Sequence, residues 1–207
     1  MQNLIIFVKY HKFKIMQKTA ILGWGSLIWQ PKDLAFDKEF GWKEDGPTLP
    51  IEFARISKDG RVTLVITENG TKVPVLYALS DYQSVEEAIL NLAVRESSGR
   101  GSIGSYDKTK NEFSPDVFFK QNILDWIKNT EFDAVIWTNL GENWNIKNEK
   151  GEIIRVIQPD KRIEYLNELA GNTSVLAEEY IRKTPKQIKT KYRSLIENRL
   201  NWKPIEN

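Results

Sequence analysis

Short apolar runs rich in β-branched and aromatic residues recur along the first two thirds of the chain, and such runs are typical of β-strands. The predicted strands lie at 20–23, 51–56, 62–66, 75–79 and 134–138. Turn signals separate them at 45–47, 58–60 and 68–70, which favours hairpins and mostly antiparallel pairing. The pattern predicts a closed or strongly curved sheet.

Helical periodicity interrupts the strands in two places, at 85–96 and at 114–128, where Pro115 suits a first helical turn. The end of the chain is helical throughout, and its last helix is opened by Thr184-Pro185. The apolar stripes of this end lie at 163–169, 175–182 and 188–200.

The chain of 207 residues, of which 41% are hydrophobic, is long enough to bury one core, and no internal repeat is visible in it. We therefore expect one α+β domain at 19–145, with a helical C-terminal extension at 146–207 packed on it. Residues 1–18 form an N-terminal extension in this interpretation. Because the first strong strand begins directly after Met16, we expect residues 1–15 to be dispensable for function.

Charge and residue types exclude several classes of function. The 30 basic and 28 acidic residues are spread along the chain and sum to a formal charge of +2, which indicates neither an acidic nor a nucleic-acid partner. The absence of cysteine excludes a disulfide framework, a thiolate nucleophile and zinc sites built on sulfur. The only histidine, His11, lies in the N-terminal extension, so neither a Ser-His-Asp triad nor a His-rich metal site is expected.

The apolar run at 4–8 is too short to span a bilayer, and no convincing signal-peptide cleavage site follows it. We expect no membrane partner and a cytoplasmic location. Basic residues alternate with apolar ones near the end of the chain, which leaves nucleic-acid or protein binding there as an alternative. Because such a charged run is usually a solvated helix face, nucleic acid is not the expected partner. These residues are Lys183, Lys186, Lys189, Lys191 and Arg193.

The segment 84–96 carries the most informative pattern. Ser84 with Glu87 three residues later is typical of a capping box, and from there five apolar residues fall on one inward face with Glu96 next in the series. A buried carboxylate must be paired, protonated or used in function, and burial raises the pKa of such a group toward the range where it exchanges protons. The pattern indicates a general acid/base. The alternative is a helix-end glutamate that reaches solvent or pairs with an arginine such as Arg95, Arg100 or Arg55.

A second candidate lies directly after the first predicted strand, where Gly23 and Gly25 bracket Trp24. Glycines at such a turn permit positive φ and let a ligand approach main-chain N–H groups, which bind carboxylates or polarised carbonyl oxygens. The pattern is neither a phosphate-binding P-loop nor a dinucleotide fingerprint, and a bulge or tight turn accounts for it equally well.

Together these segments resemble γ-glutamylcyclotransferase-like proteins, specifically the ChaC-type branch. The stretch 23–29, Gly-Trp-Gly-Ser-Leu-Ile-Trp, resembles the family's Tyr-Gly-Ser-Leu loop. Val94-Arg95-Glu96 is similar to the helix-end Val-Arg-Glu that carries the family's catalytic glutamate. The stretch 53–65 is similar to its arginine-bearing strand and hairpin, and the pieces follow in the family's order over roughly residues 19–140.

The resemblance implies a small mixed β-barrel with flanking helices that releases 5-oxoproline from a γ-glutamyl peptide or amine, a reaction of glutathione metabolism. Glu96 would take a proton from the substrate's ammonium group and give one to the leaving nitrogen. The loop would hold a carboxylate or the developing oxyanion, and Arg55 would bind a carboxylate or serve as a structural ion-pair partner. No metal or organic cofactor is required. The implied substrate-binding residues are Gly23, Trp24, Gly25, Ser26, Leu27 and Arg55.

Two departures from the family pattern keep a rival interpretation open. Trp24 stands where tyrosine is usual, so a hydroxyl at that position is lost. The segment 97–103 makes the spacing from Glu96 to Gly104-Ser105-Tyr106-Asp107 longer than is usual, and an insertion there would reshape substrate choice. The rival is a non-catalytic module on the same fold that binds a small ligand.

Overall fold

The computed structural model describes residues 16–205, which form a mixed α+β structure. His11 and the segment predicted to be dispensable lie outside the described residues. The strands are β1 (Thr19–Gly23), β2 (Thr48–Ile56), β3 (Val62–Ile66), β4 (Thr71–Pro74), β5 (Leu76–Leu79), β6 (Ile103–Asp107), β7 (Glu112–Ser114), β8 (Ala134–Thr138), β9 (Asn145–Lys147) and β10 (Ile153–Val156). The helices are α1 (Val85–Arg95), α2 (Lys120–Ile127), α3 (Arg162–Glu168), α4 (Gly171–Lys183) and α5 (Lys191–Leu200).

Each of the five strands predicted from the sequence is present, as β1, β2, β3, β5 and β8. The strands that the pattern missed are short, with three to five residues each. Each of them contains a charged residue, which weakens the apolar signal of so short a run.

The largest sheet has the strand order β5-β1-β8-β6-β7, with β1 antiparallel to β5 and parallel to β8. All five residues of β1 are buried, because both faces of the strand are covered: Ala20 and Leu22 pack in one hydrophobic cluster and Ile21 in another. Helix α1 packs its apolar face on this sheet, against strands β6 and β8. The sheet therefore brings the end of β1 and the end of α1 to the same side of the molecule.

A second sheet has the order β3-β2-β4, so that the long strand β2 pairs with β3 over its second half and with β4 over its first half. The predicted hairpin at 68–70 is therefore wrong, because the chain leaves β3 and crosses to the other edge of β2. Gly70 is needed at this crossing, since a Cβ there would lie 2.8 Å from the main-chain nitrogen of Ile51.

Strands β9 and β10 form a third, two-stranded sheet, and no closed barrel is formed within residues 16–205. The predicted barrel assumed that strands consecutive in sequence pair with one another. Instead β1 takes partners that are distant in sequence, and β2 builds a sheet of its own. The α+β class is confirmed, whereas the expected barrel is corrected to three separate sheets.

Helix α1 begins where the sequence predicts, with Ser84 as its N-cap. The capping-box prediction is wrong in one respect, because the Ser84 side chain makes no capping hydrogen bond. The predicted apolar face is confirmed: Val85, Ala88, Ile89, Leu92 and Ala93 are all buried. Arg95, which the pattern placed outside that face, is buried as well.

Two other helix starts are wrong. Residues 112–114 pair with β6 as a strand, so that Pro115 lies outside helix α2. The last helix begins at Lys191 rather than at Thr184-Pro185, and its N-cap is Thr190, whose hydroxyl accepts a hydrogen bond from the Arg193 N–H. The buried Arg193 guanidinium donates to the carbonyl oxygens of Thr184, Pro185 and Ile188, at 2.9, 2.6 and 3.1 Å. These three carbonyls therefore have a hydrogen-bond donor without being part of a helix.

The segment predicted as a helical extension begins with strands β9 and β10 before its helices start. Its helices pack on β2 through buried polar groups. The Glu52 carboxylate accepts from the hydroxyls of Thr190, at 2.5 Å, and Thr71, at 3.2 Å. The Arg162 guanidinium donates to the Phe53 carbonyl at 2.7 Å and lies 3.4 Å from the centre of the Tyr192 ring.

Among residues 16–205, every helix is too short or too polar to cross a membrane. In the basic run near the end of the chain, Lys186, Lys189 and Lys191 are exposed as expected, whereas Arg193 is buried.

Candidate active site

A cavity of about 1120 Å³ opens beside the end of β1, where the two larger sheets and helix α4 meet. Its walls come from the loop after β1, the end of α1, the β2–β3 hairpin and the β9 region. All the site residues predicted from the sequence line this one cavity, and they are Gly23, Trp24, Gly25, Ser26, Leu27, Arg55 and Glu96.

The loop after β1 turns twice in quick succession. The N–H of Ile28 donates to the Gly25 carbonyl at 3.0 Å, and the N–H of Gln30 donates to the Ser26 carbonyl at 2.8 Å. Among the described residues, the main-chain N–H groups of Gly25, Ser26 and Leu27 donate to no protein acceptor. Successive main-chain N–H groups without protein acceptors are a recurrent way to bind an anion.

The two loop glycines are required for space and not for backbone conformation. Neither Gly23 nor Gly25 has positive φ, so the conformational freedom that glycine permits is not used at these two positions. A Cβ on Gly23 would lie 2.7 Å from the Trp42 ring, and a Cβ on Gly25 would overlap the hydroxyl of Tyr180. Both glycines therefore allow an aromatic side chain to lie directly against the loop.

Trp24 is a wall of the cavity. Its side chain is packed in the core at 6% exposure, and the indole N–H donates to the Leu64 carbonyl at 3.3 Å. This bond joins the loop to strand β3, so the two sheets are connected at the cavity.

The carboxylate of Glu96 is linked to the glycine loop through Arg95. The Arg95 guanidinium donates to Glu96 Oε1 at 2.7 Å, to the Ser26 hydroxyl at 3.2 Å and to the Gln30 carbonyl at 2.9 Å. The pairing of Glu96 with Arg95 is the one that the sequence left as an alternative. The Glu96 side chain is 16% exposed, and its second oxygen, Oε2, has no hydrogen-bond partner among the described residues. One carboxylate oxygen is thus fixed and the other is open to a ligand.

Arg55 lies on the opposite wall, on strand β2. Its guanidinium donates to the Gly141 carbonyl at 2.7 Å and pairs with no carboxylate within residues 16–205. Burial lowers the pKa of this guanidinium from its ordinary value. A half-buried cation without a counter-ion is suited to bind an anionic group of a ligand.

The cavity lining as a whole is cationic. It contains six basic residues, Lys32, Arg55, Lys58, Arg61, Arg95 and Lys147, and three acidic residues, Asp59, Glu96 and Glu149. Only two ion pairs join members of this set, Arg95–Glu96 and Arg61–Asp59, both at 2.7 Å. The excess of basic groups favours a ligand that carries negative charge.

The segment 97–103, in which the sequence indicated an insertion, does lie at the cavity. Ser97, two residues beyond the end of helix α1, has φ of 50°, and Ser98, Gly99 and Ser102 line the wall. The Ser98 hydroxyl is buried and has no hydrogen-bond partner among the described residues. This segment is therefore placed to contact a ligand.

Tyr180 is a site residue that the sequence reasoning missed. It belongs to helix α4, more than eighty positions beyond Glu96, and its buried side chain reaches the cavity beside Gly25. Because Tyr180 lies in the apolar stripe of a predicted helix, the sequence pattern predicts only that it is a core residue.

Within residues 16–205, no group of three or more histidine, cysteine or acidic side chains is arranged to hold a metal ion. The chain matches no protein-family model, no curated protein and no solved structure. The fold and site thus define an α+β protein whose cavity combines an ion-paired glutamate, a loop whose main-chain N–H groups have no protein acceptor among the described residues, and an excess of basic side chains.

Proposed function

We propose that this protein is a γ-glutamylcyclotransferase-like enzyme that releases 5-oxoproline from a γ-glutamyl compound. The observation that carries the proposal is the link from the glycine loop to the Glu96 carboxylate through Arg95, at the wall of one cavity. The resemblance assigns binding to the loop and proton transfer to the glutamate, and this arrangement supports both roles at one site.

The reaction is an internal aminolysis. Glu96 Oε2 takes a proton from the α-ammonium group of the substrate, and the free amine attacks the γ-carbonyl carbon. The carboxyl group gives this proton to the leaving nitrogen as the old C–N bond breaks. The regenerated carboxylate then takes the second proton from the ring nitrogen and passes it to the released amine, so that the products are 5-oxoproline and an ammonium group. Because nucleophile and carbonyl belong to one molecule, folding the substrate in the cavity supplies much of the advantage, with effective molarities of about 10⁵ M or more for well-oriented groups.

The binding groups follow from their charges. The N–H groups of Gly25, Ser26 and Leu27 hold the developing oxyanion or the α-carboxylate. Arg55 binds a carboxylate from the opposite wall, since it has no protein counter-ion among the described residues. The carbon chain of the substrate lies along Trp24 between these two groups.

The proposal is tested by incubating the purified full-length chain with a panel of γ-glutamyl peptides and γ-glutamyl amines, and by quantifying 5-oxoproline by mass spectrometry. Time-dependent release from at least one compound supports the proposal. Release from none, with binding detected by calorimetry, would instead support the rival module that binds a small ligand without turnover.

A further inference from the structure

The hydroxyl of Tyr180 occupies the space that a side chain at Gly25 would take. A Cβ on Gly25 would lie within 3.0 Å of this oxygen, and the Tyr180 Cζ would be 3.3 Å away. The phenol therefore meets the main chain of the glycine loop directly, at a loop whose N–H groups have no protein acceptor among the described residues.

Within the described residues, the Tyr180 hydroxyl accepts one hydrogen bond and donates none. The oxygen accepts a hydrogen bond from the Leu64 N–H at 3.2 Å. Among residues 16–205 the hydroxyl hydrogen has no acceptor, although the side chain is only 6% exposed. A hydroxyl both donates and accepts, and a buried donor normally has a partner. The cavity is the side from which a partner can come.

Three contacts hold the Tyr180 ring in place. The Trp29 ring packs edge-on at 5.5 Å and the Phe53 ring edge-on at 6.4 Å, while the Arg61 guanidinium lies 5.5 Å from the ring centre. Burial raises the pKa of the Tyr180 phenol to about 12, with a smaller contribution from the negative charge of Glu96. The group is thus a neutral, preorganised hydrogen-bond donor at ordinary pH.

We propose that Tyr180 donates a hydrogen bond to the ligand oxygen held at the glycine loop, so that helix α4 of the C-terminal extension completes the active site. This inference rests on the proposed function and adds a catalytic residue to it. When the substrate amine attacks, the new C–N bond forms and the carbonyl electron pair moves to oxygen. Tyr180 stabilises that oxyanion by hydrogen bonding without losing its proton, and Glu96 protonates the leaving nitrogen as the old C–N bond breaks.

The proposal also accounts for Trp24. The loop position at which the resembling family carries a tyrosine has no hydroxyl here, and Tyr180 supplies one to the same loop from a different element. Trp24 and Tyr180 both bond to Leu64, the indole to its carbonyl and the phenol to its N–H. One residue of β3 thereby positions both aromatic side chains.

The test compares Tyr180→Phe with a matched control, Tyr165→Phe, in the full-length chain. Tyr165 is also a buried tyrosine of the extension, and its hydroxyl donates to the Gly60 carbonyl at 2.7 Å. With the best γ-glutamyl substrate, Tyr180→Phe is expected to lower kcat about 100-fold with little change in KM, because it removes one oxyanion donor. Tyr165→Phe is expected to keep kcat within about twofold. Equal kcat for Tyr180→Phe and the wild type would overturn the inference.

A second variant guards against loss of folding, since Tyr180→Phe leaves the Leu64 N–H without its acceptor. Site-specific 3,5-difluorotyrosine at position 180 keeps the oxygen and makes the phenol more acidic. The alkaline limb of the kcat–pH profile should then move to lower pH by at least about one unit. A purely structural role would change the melting temperature and leave that limb in place.

Binding separates this inference from the proposed function. If the wild type releases no 5-oxoproline but binds 5-oxoproline at least about tenfold more tightly than Tyr180→Phe does, the proposed reaction fails and the ligand bond to Tyr180 stands. If the wild type turns substrate over and Tyr180→Phe matches it in kcat, the reaction stands and the inference fails. If the wild type neither binds nor converts any γ-glutamyl compound or 5-oxoproline, both fail.

Discussion

The Tyr180 hydroxyl and the Gly25 main chain lie so close together that no side chain fits between them. The oxygen is held there by the Leu64 N–H, which limits how far it can move. Replacing Gly25 with alanine therefore overpacks this point. We expect Gly25→Ala to lower the free energy of unfolding, measured by urea denaturation, by about 1–3 kcal/mol.

The double variant Gly25→Ala/Tyr180→Phe identifies the cause. It removes the oxygen that the new Cβ would meet, so its destabilisation should be smaller than the sum of the two single variants. Gly99→Ala is the matched control, because a Cβ there would have nothing within 4 Å, and it should change stability by less than about 0.5 kcal/mol. Additive behaviour of the double variant would show that Tyr180 is not the obstacle.

The stability of the protein should depend on pH through Tyr180. Its pKa is about 12 in the folded protein, whereas tyrosine in an unfolded chain has a value of about 10. Above pH 10 the unfolded chain loses this proton while the folded protein keeps it, which favours unfolding. The stabilisation that comes from this raised pKa is fully present below about pH 10. Between pH 10 and pH 12 the free energy of unfolding falls by about 1.4 kcal/mol per pH unit.

The comparison of the wild type with Tyr180→Phe isolates that contribution from the other tyrosines. Between pH 9 and pH 11.5, the free energy of unfolding should fall by about 2 kcal/mol more in the wild type than in the variant. Parallel pH curves for the two proteins would contradict this assignment.

Glu52 should be essential for holding the C-terminal helices on β2. Glu52→Ala leaves the hydroxyls of Thr190 and Thr71 without their buried acceptor, and it also removes the acceptor of the Phe53 N–H. We expect a loss of about 3 kcal/mol in the free energy of unfolding by urea denaturation. Glu164→Ala removes an exposed carboxylate that pairs with Lys161 and should cost less than about 1 kcal/mol. Similar losses for both variants would mean that the Glu52 bonds do not hold the extension.

Arg55 should act on binding and not on the chemical step. Arg55→Gln removes a cation that has no protein counter-ion among the described residues, so KM for a γ-glutamyl substrate with an additional carboxylate should rise about tenfold while kcat stays within about threefold. The control is Arg155→Gln, which removes an exposed arginine paired with Glu168 and should leave both constants unchanged. Steady-state kinetics decide the matter, and a fall in kcat at constant KM would contradict a binding role.

The sequence predicted the parts of the fold whose signal is local. The five apolar runs predicted as strands are strands in the structure, and helix α1 presents the predicted face. Pairing was not predictable, because the partners of β1 are distant in the chain and the crossing after β3 depends on the fit of Gly70 against β2. The start of the last helix was not predictable either, because it also depends on a tertiary contact: the buried Arg193 guanidinium donates to the carbonyls of Thr184 and Pro185, which precede the helix.

For the site, helix phase indicated Glu96 and the glycine pattern indicated the loop, and the structure places both at one cavity. Two features had no readable signal. The Arg95 link between them requires knowledge of where the loop folds, and Tyr180 reads in sequence as an ordinary core residue of a helix. Both depend on contacts between segments that are far apart in the chain.

In the proposed reaction the Glu96 carboxyl group transfers the protons, and Glu96→Gln removes that ability. The amide keeps the size of the side chain and an oxygen for Arg95, but it cannot exchange a proton with the substrate. Glu86→Gln, on the exposed side of the same helix, is the control. We predict that 5-oxoproline release by Glu96→Gln falls at least about 100-fold while Glu86→Gln matches the wild type. Release by Glu96→Gln at the wild-type rate would show that Glu96 is not the proton-transferring group.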